Sequence, residues 1–183
     1  NTYQSDGYSY TRPFPTVRLA WKLDDNHKLS LFLNRRVDRP NEVDIRIFPK
    51  YDEPELIKVG NPGLRPQFTT STDLGYRMAW SGGSLYAAGY HRIVDATITR
   101  IATQAPGSPL LYNVFQNAGR SRITGSELVW QQTVSPAVSI SANANLYRTS
   151  IGAFTVVNLY PVPVTYSAAK TSLTSGSLKV NAN

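Results

Sequence analysis

The sequence has no cysteine, which removes disulfide frameworks, thiolate zinc sites and thiol nucleophiles together. Histidine is almost as scarce. His27 and His91 are far apart and in no metal-ligand spacing. Charged residues make up only 17% of the chain against 11% aromatic, a balance that argues against disorder, which calls for charge and few rings. No run approaches the ~20 apolar residues of a membrane helix. No signal peptide opens the chain, which begins in a tyrosine-rich stretch (Tyr3, Tyr8, Tyr10) and reads as a mature piece or a fragment. Ser126 beside Glu127 has no histidine base, and no Gly-x-Ser-x-Gly elbow exists; neither an enzyme nor a cofactor is expected. Asp44, Asp52, Glu53 and Glu55 offer oxygens for calcium, but their spacing does not fit an EF-hand, and no metal is expected. The net charge of +7 comes from singly scattered Arg and Lys, with no basic helix or basic-aromatic motif, so nucleic acid is not an expected partner.

What is present is alternation. From Val138 to Tyr147 apolar residues hold the even positions, and Ser139, Ser141, Asn143 and Asn145 hold odd ones. A period of two marks a strand with one oily and one polar face. The preceding arm ends in the same register around Leu128 and Trp130, and Thr133-Val-Ser-Pro136 carries turn chemistry, so 113–148 reads as a long hairpin. Further strands are expected at 14–23, 28–37, 68–80, 84–98 and 162–173, with an eighth from 177 after a turn at Thr174-Ser-Gly176. Between them, 38–67 reads as a proline-rich loop with an extended piece at 43–48, and 99–111 and 149–161 as long connections. The register of 84–98 stays open, because Leu85, Ala87 and Gly89 compete with Tyr86, Ala88 and Tyr90 for the apolar face. At 183 residues the chain fits one domain, and the fold class is all-β: an antiparallel up-and-down meander of about eight strands.

Short and long connections alternate along this meander, which places all short turns at one end. That asymmetry is characteristic of outer-membrane barrels. Trp21, Trp80 and Trp130 each fall near a short turn on the apolar parity of their strands, where a membrane-interface girdle would put them, since indole is apolar with one N–H that needs a partner near water. If the apolar rows meet lipid, Arg18, Lys22, Ser30, Asn34, Asp73, Arg77, Glu127, Gln131, Ser141, Asn143 and Asn145 line the lumen. Arg35, Arg36 and Arg39, near the long-loop end, are candidates for lipopolysaccharide phosphates.

Arg35-Arg-Val-Asp-Arg-Pro40, Gly60-Asn-Pro-Gly-Leu-Arg-Pro-Gln67, Asp95-Ala-Thr-Ile-Thr-Arg100, and Asn117-Ala-Gly-Arg-Ser-Arg122 with Gly125-Ser-Glu127 resemble the C-terminal barrel of TonB-dependent outer-membrane receptors, of the type common in Bacteroidetes. The Gly-Asn-Pro-x-Leu-Arg-Pro run is the most specific element. The resemblance implies a segment of a 22-stranded barrel in the bacterial outer membrane, whose N-terminal plug and other strands are absent here. It also implies nutrient uptake powered by TonB acting through that plug, with outer-membrane lipid around the wall and a transported solute the sequence does not name. Asn61-Pro62 and Arg65-Pro66 read as a structural device that returns a long loop to the rim, because a residue before proline is held extended. Two alternatives remain beside this one: a complete eight-stranded barrel serving as anchor or adhesin, and a soluble β-protein that binds glycan or lipid.

Overall fold

A computed structural model describes residues 8–46, 48, 50–53, 56–104, 107–159 and 162–182. Seven strands make an antiparallel meander: β1 (Thr16–Lys22), β2 (His27–Asp38), β5 (Gln67–Trp80), β6 (Gly83–Gln104), β7 (Leu111–Ser135), β8 (Val138–Ile151) and β11 (Thr171–Ala182), each paired with the next. The sheet is not closed, and β1 and β11 are its edges. From β2 onward every wall strand has 12 residues or more, enough for the 9–11 that a tilted strand needs to cross a bilayer.

The short connections after β1, β5 and β7 lie at one end and the long ones at the other, as the alternation of loop lengths requires. Asp24 fixes the first turn by accepting the backbone N–H groups of Asn26 and His27 at 2.8 Å. The second turn needs Gly82, whose φ of 81° is left-handed.

The chain departs from the sequence reading in three places, two of them at the long-loop end. The expected extended piece at 43–48 contains a single helical turn, α1 (Glu42–Ile45), where Asn41 and Asp44 form a reciprocal capping box. The expected loop at 99–111 is mostly strand: β6 and β7 run on past the wall as a two-stranded ribbon, and β4 (Leu56–Val59) adds to β7 in parallel while β3 (Lys50–Glu53) pairs β4. Ala96 takes a left-handed φ of 55° while the β6–β7 ladder keeps one register on both sides of it, and beyond it Ile101 and Thr103 are buried. Finally, Thr174-Ser-Gly176 does not turn the chain. Twelve consecutive residues of β11 pair β8 without interruption, and that ladder outweighs local turn chemistry. The preceding connection instead holds a small hairpin, β9 (Phe154–Asn158) with β10 (Val164–Ala168), and the wall has seven strands in place of eight.

The dry core is small and in an unusual place. Ile57, Val59, Tyr112 and Val114 pack together under the ribbon, not between two layers of wall strands. The wall's own apolar rows stay open, with Trp21 45%, Leu146 58% and Leu178 72% exposed.

Candidate functional site

Antiparallel register places cross-strand partners on the same face, so each face can be followed across the wall. On one face Trp21, Leu29, Tyr76, Ala87, Leu128, Ala144 and Leu178 form an unbroken apolar row through all seven strands. The next row toward the long loops is Leu19, Leu31, Leu74, Gly89, Ser126, Leu146 and Gly176. The open register of 84–98 thereby resolves: Leu85, Ala87 and Gly89 share the apolar face, while Tyr86, Ala88 and Tyr90 lie opposite.

The opposite face collects Arg18, Lys22, Asp73, Arg77, Glu127, Gln131, Asn143 and Asn145, together with Ser30, Asn34 and Ser141. The structure adds residues that periodicity missed. Tyr86, Tyr90 and Arg92 enter this face with the β6 register and border a cavity with Asp73, Glu127 and Asn145. Tyr90 donates to Asn145 Oδ1 at 3.1 Å. Its ring lies over Gly125, where an added Cβ would come within 2.5 Å of it, and Tyr86 likewise covers Gly75. Glycine at these two positions makes room for a flat aromatic on the wall. Asp73 Oδ1 is buried without a hydrogen-bond partner among the described residues. Near the short turns Lys22, Lys28 and Arg77 stand side by side, and among the described residues only Lys22 is bridged, to Asp25 at 2.6 Å.

The three tryptophans share the apolar face in neighbouring rows near the short turns: Trp21 opposite Leu29, Trp130 opposite Leu85 and Ala142, and Trp80 opposite Gly83. Trp80 Nε1 donates to Gln132 Oε1 at 2.8 Å. The arginine trio separates, because successive side chains in a strand alternate. Arg35 falls on the apolar face with its guanidinium 5.9 Å from the Phe68 ring centroid. Arg36 falls on the polar face, 3.6 Å from Asp38, and Arg39 lies beyond β2. Of the acidic loop group, Asp44 Oδ2 accepts the Asn41 N–H at 3.0 Å in the helix cap; Glu55 and the side chains of Asp52 and Glu53 lie outside the described residues.

The quoted motifs meet at the rim as one knot. Gly60 passes so close to Arg46 that a Cβ would sit 2.3 Å from its carbonyl oxygen. Asn61 Nδ2 donates to the Phe115 carbonyl at 3.0 Å. Asn117 clasps Arg65, accepting its N–H at 2.7 Å and donating to its carbonyl at 2.9 Å, and also donates to the Ala96 carbonyl at 3.0 Å. These residues return a long loop to the barrel, as the prolines predict.

A model of the outer membrane protein beta-barrel family matches residues 1–183. Among solved structures, the siderophore receptor PirA of Pseudomonas aeruginosa is similar over 90% of this chain and 35% of its own, with TM-score 0.65 and 13% identity. The copper transporter OprC covers 92% of this chain and 31% of its own, with TM-score 0.56 and 14% identity. A variant of the ferric enterobactin receptor PfeA of Pseudomonas aeruginosa, in complex with enterobactin, gives 90%, 32%, 0.57 and 11%. The chain thus spans about a third of the length of these structures, and at such identities the likeness is one of fold. No curated protein matches significantly.

Proposed function

Because the chain belongs to the outer membrane protein beta-barrel family, we propose that it supplies seven consecutive strands of a larger TonB-dependent receptor barrel that carries a scarce nutrient inward. The plug and the other strands would come from chain beyond these 183 residues. One observation carries this reading: the apolar rows of the wall stay exposed or half-buried across seven strands, while the dry core sits among the loops. Apolar rows of that length need hydrocarbon to cover them.

With lipid on the apolar side, the polar face turns to the lumen. Lys28 and Arg77, adjacent and without a carboxylate partner among the described residues, call for an anionic group opposite them, either from a plug or from the passing solute. The tryptophans near the short turns would sit at the periplasmic interface, each indole N–H within reach of water or, for Trp80, already held by Gln132. Solute choice would lie in the long loops and the ribbon, which a rigid wall positions without constraining their sequence.

The test uses the full-length protein in its native membrane. Accumulation of labelled ferric siderophore or copper is compared in cells with and without the protein, and with and without TonB. Uptake of a solute that requires both is the expected result. Undiminished uptake of every solute in cells lacking the protein would remove the transport role.

A further inference from the structure

On the apolar face, immediately beyond the oily rows, the wall becomes basic. Thr72, His91, Thr124 and Arg148 form one cross-strand row, and Thr70, Ile93, Arg122 and Ser150 the next toward the long loops. Arg122 and Arg148 are diagonal neighbours on β7 and β8, a spacing of about 7–8 Å between backbones, and both are exposed. Between them and β6, the Thr124 hydroxyl and His91 Nδ1 are 2.7 Å apart. Arg148 donates to Ser172 Oγ at 3.1 Å. Neither arginine meets a carboxylate: among the described residues Asp95 is the only acid on this face of the wall strands, and it is held by Arg120 at 2.5 Å.

The surface on the short-turn side of this pair is not flat. Small residues on β6 and β8 leave a groove of about 500 Å³ bordered by Leu74, Ala87, Gly89, Leu128, Ala144 and Leu146. A Cβ at Gly89 would have nothing within 4 Å. Leu146 and Arg148 are two residues apart on one strand face, about 7 Å, so the groove opens directly onto the guanidinium groups.

Resting on the membrane reading above, we infer that this is a seat for one lipopolysaccharide molecule of the outer leaflet, with a lipid A phosphate on Arg122 and Arg148 and an acyl chain in the groove. Charge complementarity selects the occupant. Two unneutralised guanidinium groups beside an apolar trough match a phosphate joined to hydrocarbon, and they lie toward the long loops, the end that faces outward in such barrels. This pair differs from the arginines that the sequence pointed to, of which Arg36 lies on the other face.

The test is lipid binding by the full-length protein purified in mild detergent, stripped of lipid and titrated under native mass spectrometry. The probes are lipid A, the same lipid enzymatically dephosphorylated, and phosphatidylglycerol. One lipid A per chain is expected, with phosphatidylglycerol and the dephosphorylated form weaker. The double variant R122Q/R148Q should lose about tenfold or more in affinity, as expected for losing charge-assisted hydrogen bonds. Gly89→Leu, which fills the groove, should weaken binding with both arginines intact. Equal binding of lipid A and its dephosphorylated form, equal binding of phosphatidylglycerol, or no change in either variant would overturn the site. If the double variant does not fold, the comparison of lipids on the unaltered protein decides. Insertion into vesicles, read by heat-modifiable gel migration, separates the two levels: a protein that inserts but shows no phosphate preference loses only this site, whereas one that never inserts loses the membrane reading with it.

Discussion

Asn117 is the side chain on which the rim depends most. Its amide makes three hydrogen bonds, two to the backbone of Arg65 and one to the carbonyl of Ala96, so it ties down the stretch between β4 and β5, which pairs with no strand. Asn117→Ala should cost about 2–4 kcal/mol, a net contribution of about 1 kcal/mol per bond plus the penalty for backbone groups left unpaired. Urea unfolding of the full-length barrel, together with faster protease cleavage between residues 39 and 66, checks this. Glycines give a sharper contrast. Gly125→Ala pushes into the Tyr90 ring and the bond from Tyr90 to Asn145, and should lose about 1–3 kcal/mol through overpacking; Gly89→Ala enters open space and should leave the unfolding midpoint nearly unchanged. The sequence announces Asn117 and Gly125 as members of a motif but not their work, because that work lies in partners 52 residues away for Asn117 and 35 for Tyr90 with Gly125.

At the scale of the strand, the period of two is the strongest statement the chain makes. Leu128 and Val129 are neighbours on β7, yet Leu128 lies in the apolar row with Ala87 and Ala144, and Val129 lies opposite with Tyr86 and Asn143. On the membrane reading proposed above, Leu128→Arg should destabilise the barrel in lipid by about 2–4 kcal/mol, the cost of a cation at mid-depth, while Val129→Arg, on the face that carries Asn143, should cost much less. Equal midpoints for the two variants in vesicle unfolding would show that the faces are not distinguished by lipid. Alternation was legible where large apolar and polar residues trade places, as in 138–147. It was illegible in β6, where alanine, glycine and tyrosine suit either face and only pairing with Tyr76 and Leu128 decides. The same limit explains Thr174-Ser-Gly176: the local chemistry is that of a turn, and the ladder to β8 that overrides it is not a local property. The ribbon at 99–104 escaped for a related reason, since what holds it as strand is pairing with 111–116 and the parallel addition of β4, neither of which is a local property.

At the scale of the whole molecule, the seven-strand wall has two edges among the described residues. β1 and β11 each pair on one side only, and the backbone groups along their other sides need hydrogen bonds that hydrocarbon cannot give. In a barrel the neighbouring strands close that account, which agrees with a chain that spans about a third of its structural relatives. Expressed alone, residues 1–183 would carry two unpaired edges and a broad apolar face at once, and both recruit further copies: edges by strand addition, apolar rows by collapse. The expected outcome in mild detergent is a mixture of oligomers and aggregate on a sizing column. A sharp monomer peak from the segment would mean that β1 and β11 satisfy each other, in which case seven strands close on themselves and the larger barrel is unnecessary.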